Sequence, residues 1–232
     1  MNRFGDLAFF TPLDVAGFAV LILLWCAIGW RIEHSNPAKP STSSIMANYR
    51  REWMTQMIAR EVRIFDAQTM GTLRQGTSFF ASTCVIAIGG TLALIGNADQ
   101  LAGVAQDLTE KAAPTIVWEM KLLVIVGFLT NAFLKFVWSN RLFGYCSVMV
   151  GAAPNDPADP TAPSFARKAA ELNIAAARSF NRGLRAIYFG LAAVAWLAGA
   201  IPLIIAAFVT CGVIWRREFA SFSRKVLLED QG

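Results

Sequence analysis

WEMKLLVIVGFLTNAFLKFVW, residues Trp118 to Trp138, carries a tryptophan at each end of an apolar run. With a rise of ~1.5 Å per residue, the two indoles of a helix here stand ~30 Å apart, the thickness of a bilayer's hydrocarbon core. The spacing predicts a membrane span anchored by an aromatic side chain at each interface. At ~100° per residue, Lys121, Asn131 and Lys135 share an arc of ~80° with Val124 and Phe128, while Glu119 points nearly the opposite way. Polar side chains on one face of a span need protein or water as a partner, because lipid offers none.

The rest of the chain agrees with a multi-span membrane protein. Of 232 residues, 55% are hydrophobic and 16% charged, and the mean hydropathy is +0.46. The net charge is +5, and its Lys and Arg cluster beside the apolar segments, so anionic lipid headgroups are the expected partner and nucleic acid is not. Cys26, Cys84, Cys146 and Cys211 sit in or beside apolar segments without a CxxC pair, and read as small buried hydrophobes, neither disulfides nor metal ligands. A single histidine, His34, excludes a bis-histidine haem or a histidine-rich metal centre built from this chain. No cofactor is expected.

Four spans are expected, at about 13–30, 77–95, 117–138 and 186–215. The first is read as retained: its flank holds Arg3, Asp6 and Asp14, and no small-residue cleavage pattern follows. After Arg31, the prolines of NPAKPSTSS end the helix, and residues 45–75 mix Trp53, Met57 and Ile64 with charged side chains such as Arg50, Arg51, Arg60 and Arg74, which predicts an amphipathic surface helix. A polar loop, 97–114, carries Asp107, Glu110 and Lys111. GAAPNDPADPTAP, 151–163, predicts a loop, and Ser164 is placed to cap a basic helix over 164–185 that runs into the fourth span, with a kink at Pro202. Seven positive charges between spans one and two and six between spans three and four put these connectors in the cytoplasm and both termini outside, in a bacterial inner membrane; the basic tail after Trp215 argues the other way. A hairpin around Pro202 would return the tail to the cytoplasm, at the cost of limbs too short to span.

The chain resembles the domain of unknown function 599 family of small multi-span membrane proteins. The resemblance rests on YRREW (49–53), SFFAST (78–83), WEMKLL (118–123), WSNRLFGY (138–145), VGAAP (150–154), SFNRGLRAIYF (179–189) and RREF (216–219), and covers nearly the whole length. It implies a four-span helical protein and brings no activity or catalytic residue; with the segments above, the expected fold is an all-α membrane protein of four transmembrane helices, two of them continuing into a cytoplasmic helical extension.

Two groups of residues are candidates for function. Lys121, Asn131, Lys135 and Phe128 would line a pore if copies packed this face around an axis, with Phe128 and Val124 as an apolar constriction, while Glu119, on the opposite side, is an intramembrane candidate only as a lone proton-relay carboxylate. The plainer alternative has both lysines snorkelling to opposite interfaces and Glu119 pairing with Lys111. Arg63 and Asp66 lie at i and i+3 among Arg60 and Glu61 as a solvated, self-paired face. Alternatively, Asp66 reaches Arg178, Asn181 or Arg185 and locks two cytoplasmic helices together. GTLRQGTS, 71–78, lacks the lysine of a phosphate-binding loop and precedes a span instead of following a strand. With no nucleophile beside a base and no paired carboxylates, an enzyme is not expected. Two function classes stand open: a homo-oligomeric channel or small-anion binding protein, and an accessory or scaffolding subunit of a larger membrane complex.

Overall fold

The computed structural model describes residues 10–100, 103 and 114–229. Arg3, Asp6, Asp107, Glu110 and Lys111 lie outside them, as does most of the expected 97–114 loop. Among the described residues the fold is all α, with no strand: α1 (Pro12–Glu33), α2 (Thr42–Ile58), α3 (Ile64–Gly96), α4 (Thr115–Ala152), α5 (Ala162–Val194), a 3₁₀ turn (Ala195–Ala198), α6 (Ala200–Phe219) and α7 (Phe222–Glu229). Four segments are long and apolar enough to cross a membrane: α1, α3, α4, and α6 taken with α7 as Ala200–Glu229.

The described residues divide into two compact units. Unit 1 draws on Met1–Gly29, Thr83–Ala132 and Leu184–Ile214; unit 2 on Trp30–Ser82, Phe133–Gly183 and Trp215–Gly232.

In unit 1, α1 opens on a reciprocal cap. Asp14 Oδ2 accepts the Thr11 N–H at 3.1 Å, Thr11 Oγ1 accepts the Asp14 N–H at 3.2 Å, and Pro12 stands where its missing N–H costs nothing. The expected continuous helix through 186–215 is broken, and the break is at Gly199 rather than Pro202. Gly199 has φ +125° and ψ 173°, a region essentially closed to residues with a Cβ, so the 3₁₀ turn ends there and α6 starts anew. Pro202 sits in the first turn of α6, where a proline is tolerated. Gly199→Ala is therefore expected to cost about 1–3 kcal/mol, read from thermal unfolding in detergent. A melting curve superimposable on wild type would remove this account of the turn.

In unit 2, α4 and α5 run antiparallel and are stitched by side chain to backbone. Ser179 Oγ donates to the Lys135 carbonyl at 2.8 Å, Ser139 Oγ to the Ala176 carbonyl at 2.7 Å, and the Cys146 thiol to the Ala169 carbonyl at 3.2 Å. One index rises as the other falls. Such close approach requires small residues, and α5 supplies Ala162, Ala166, Ala169, Ala170 and Ala176 at helical spacing, all buried. Met54, Met57, Met70, Leu142 and Phe143 complete this core. α5 starts at Ala162, two residues before the expected cap at Ser164, because Asp159 Oδ1 accepts the Thr161 N–H at 2.7 Å and organises the turn earlier.

The expected 45–75 helix is likewise two helices. Ser41 caps α2, α2 ends at Ile58, and α3 starts at Ile64. The turn between them lets Trp53 of α2 and Arg60 of the loop reach the same carboxylate, Asp66 of α3.

The tail after Trp215 packs beside α2. Ser43 N–H and Oγ donate to the Glu218 carboxylate at 3.1 and 2.9 Å, Tyr49 Oη to the Leu227 carbonyl at 3.2 Å, and Arg224 Nε to the Pro40 carbonyl at 3.0 Å. These contacts hold the tail against α2 and the connector before it. The chain turns at Gly199, and its last four basic residues share unit 2 with α2.

Candidate functional site

Lys121 is one of three buried charged residues among the described residues, with Asp66 and Arg185, and 8% of its surface is exposed. Its Nζ lies 5.1 Å from the Trp118 ring centre and 5.8 Å from that of Trp196, and Asp14 is its electrostatic counterpart. Asp14 is in turn held by the Trp196 indole, whose Nε1 donates to Oδ1 at 2.8 Å. Each half of the arrangement follows from its element. The N-cap of α1 aims Asp14, the 3₁₀ turn before Gly199 presents Trp196, and the first turns of α4 carry Trp118 and Lys121 three residues apart on one face. An ammonium over two indole faces beside a carboxylate is stabilised where water is scarce. Among the described residues the buried Trp118 Nε1 has no hydrogen-bond partner.

The other members of the predicted stripe fare differently. Phe128 is buried, edge-on to Trp25 at 5.1 Å, and its Cβ lies 3.2 Å from where a Cβ on Gly190 would stand. Lys121 and Phe128 are thus enclosed by their own unit, and neither forms an open face. Lys121 does not snorkel either. Asn131, Lys135 and Glu119 are half-buried; the expected Glu119 partner, Lys111, lies outside the described residues.

In unit 2, Asp66 is fully buried, not solvated, and its Oδ1 accepts the Trp53 Nε1–H at 2.6 Å and the Arg60 guanidinium. The predicted pairing of Asp66 with Arg178, Asn181 or Arg185 is replaced by this local one. Arg178 is exposed, Asn181 Nδ2 donates to Ser43 Oγ at 3.3 Å, and Arg185 is buried in unit 1 with its Nε 3.8 Å from the Cβ position of Gly29. Arg63 does not pair with Asp66 either. Its guanidinium donates to the carbonyls of Val150, Ala153 and Pro154 at 3.3, 2.7 and 2.5 Å, closing the C-terminus of α4 where free carbonyls and the helix dipole favour a cation.

Sequence reasoning passed over a second buried polar knot. Asn173 Oδ1 accepts from Arg50, and its Nδ2 faces Met70 Sδ at 3.5 Å and Cys146 Sγ at 3.8 Å. Burial pushes the Arg50 guanidinium below its ordinary pKa. A signal was present: Asn173 is the one polar residue in the Ala166, Ala169, Ala170, Ala176 stripe. Arg182 pairs with Glu33, and that contact raises its pKa. No cluster of metal-ligating side chains occurs among the described residues.

A family model described as "Protein of unknown function, DUF599" matches residues 16–223. No curated protein and no solved structure matches the chain.

Proposed function

The chain belongs to the DUF599 family of proteins of unknown function, and from that premise we propose that it is a non-enzymatic multi-span protein of the bacterial inner membrane, serving as an accessory subunit of a larger membrane complex. The observation that carries this reading is the enclosure of Lys121 between Trp118 and Trp196. A pore built from copies needs that ammonium facing a shared axis, and here its own chain covers it. α3 supports the accessory role from the other direction. Phe79, Ile86 and Leu92 point outward, and a Cβ at Gly89, Gly90 or Gly96 would meet nothing within 4 Å, so the span offers a small-residue face to foreign helices. In this reading α2, α7 and the basic connectors are cytoplasmic, the N-terminus is outside, and the tail's positive charges now obey the charge rule for orientation.

Reconstituted protein is expected to pass no chloride or nitrate in liposome flux, with wild type and Lys121→Glu alike. Native mass spectrometry from the source membrane should find one copy per particle, with other subunits. A symmetric homo-oligomer whose anion flux is abolished by Lys121→Glu overturns the proposal. A second reading, binding of a small anion, is favoured by the Trp118 N–H, which has no partner among the described residues and lies beside the Lys121 ammonium. It requires a saturable anion-dependent change in tryptophan fluorescence that Trp118→Phe removes.

A further inference from the structure

The geometry points to a phosphate-binding site in unit 2 that takes the headgroup of an anionic phospholipid. Between the start of α3 and the end of α4 lies a cavity of about 460 Å³ whose lining includes Arg63, Arg74, Glu61, Ser147 and Asn155. Gly71 also lines it, and a Cβ there would meet nothing within 4 Å, so the space continues to the α3 backbone.

The two arginines are in different states. Arg63 is fixed: three carbonyls at the α4 terminus hold it, and its buried Nε has no partner among the described residues. Carbonyls satisfy hydrogen bonds and leave the positive charge unneutralised. Arg74 lies across α4 at Gly144, its Cζ 3.9 Å from the Cβ position, and the missing side chain at 144 is what admits it. Among the described residues, neither arginine makes an ion pair. Two guanidinium groups beside the Asn155 amide are a donor set that recognises phosphate oxygens; the Ser147 hydroxyl lines the cavity with its proton given to the Phe143 carbonyl at 2.9 Å.

Charge and position choose the source of the phosphate. Two arginines against Glu61 leave one positive charge, which matches the single negative charge of a phosphodiester better than free phosphate. Arg74 stands three residues before Thr77, where the uncharged run to Ile95 begins. Val148 and Tyr145 on α4 and Ile64 and Phe65 on α3 are exposed apolar side chains near the lining residues in sequence, suited to acyl chains.

The test uses the full chain in detergent, titrated with phosphatidylglycerol and followed by native mass spectrometry. Wild type should retain one lipid saturably. Arg74→Gln, which removes a side chain that donates no hydrogen bond among the described residues, should weaken retention by about tenfold. Glu61→Gln should strengthen it. Because Arg63 also closes a helix, the second variant is Gly71→Leu, which fills the cavity without altering charge and should displace the lipid while circular dichroism stays native. Inorganic phosphate at the lipid's concentration should not compete. Equal retention by wild type, Arg74→Gln and Gly71→Leu overturns the site, and displacement by inorganic phosphate overturns the lipid as its occupant.

Discussion

Asp66→Ala is expected to destabilise unit 2 by about 3 kcal/mol, measured by chemical unfolding in detergent. The carboxylate is 0% exposed and is the shared acceptor for Trp53 of α2 and Arg60 of the intervening loop. Removing it leaves an indole N–H without its partner and a guanidinium without its counter-charge. Breaking a buried pair costs about 3–5 kcal/mol, and the lower end applies because the Arg60 side chain is 37% exposed and can rehydrate. Asp66→Asn keeps an acceptor for Trp53 and loses the ion pair, so it should fall between wild type and alanine. If alanine and wild type unfold within about 0.5 kcal/mol of each other, as unremarkable surface substitutions do, the carboxylate is not the tie between α2 and α3.

Phe136→Ala should cost about 3–5 kcal/mol by the same measurement. The ring is 0% exposed, stacked on Phe80 at 5.3 Å and tilted against Phe180 at 5.4 Å, so truncation opens a cavity among three helices. Gly183 exists in relation to that ring. A Cβ there would stand 2.8 Å from Phe136 Cε1 and 2.9 Å from Cζ, distances that force one of them to move. Gly183→Ala alone should therefore destabilise by about 1–3 kcal/mol, and in the Phe136→Ala background it should be nearly neutral or favourable. Additive losses in the double variant would show that the glycine serves something other than the ring.

The spans at α1, α3 and α4 were legible because a run of apolar residues long enough to cross lipid has few other uses. The stripe of Lys121 with Phe128 was legible as a face, since spacing alone determines which residues share one. What that face touches was not. Trp196 is 75 residues from Lys121, and nothing in either neighbourhood names the other. Asp66 looked solvated because Arg60, Glu61 and Arg63 surround it in sequence, while the structure sends Arg63 to the end of α4 and turns the acid inward.

The amino-acid order alone thus determined an all-α chain of membrane-crossing length, since helix period and apolar run are local properties measured within a few turns. The tertiary structure alone decided that α5 and α6 meet at Gly199, that the tail returns to α2, and that each buried charge has the partner it has. Those outcomes depend on contacts between residues distant in the chain. Whether a glycine serves as a hinge or as a gap, or a lysine faces lipid or indole, is set by what packs against it.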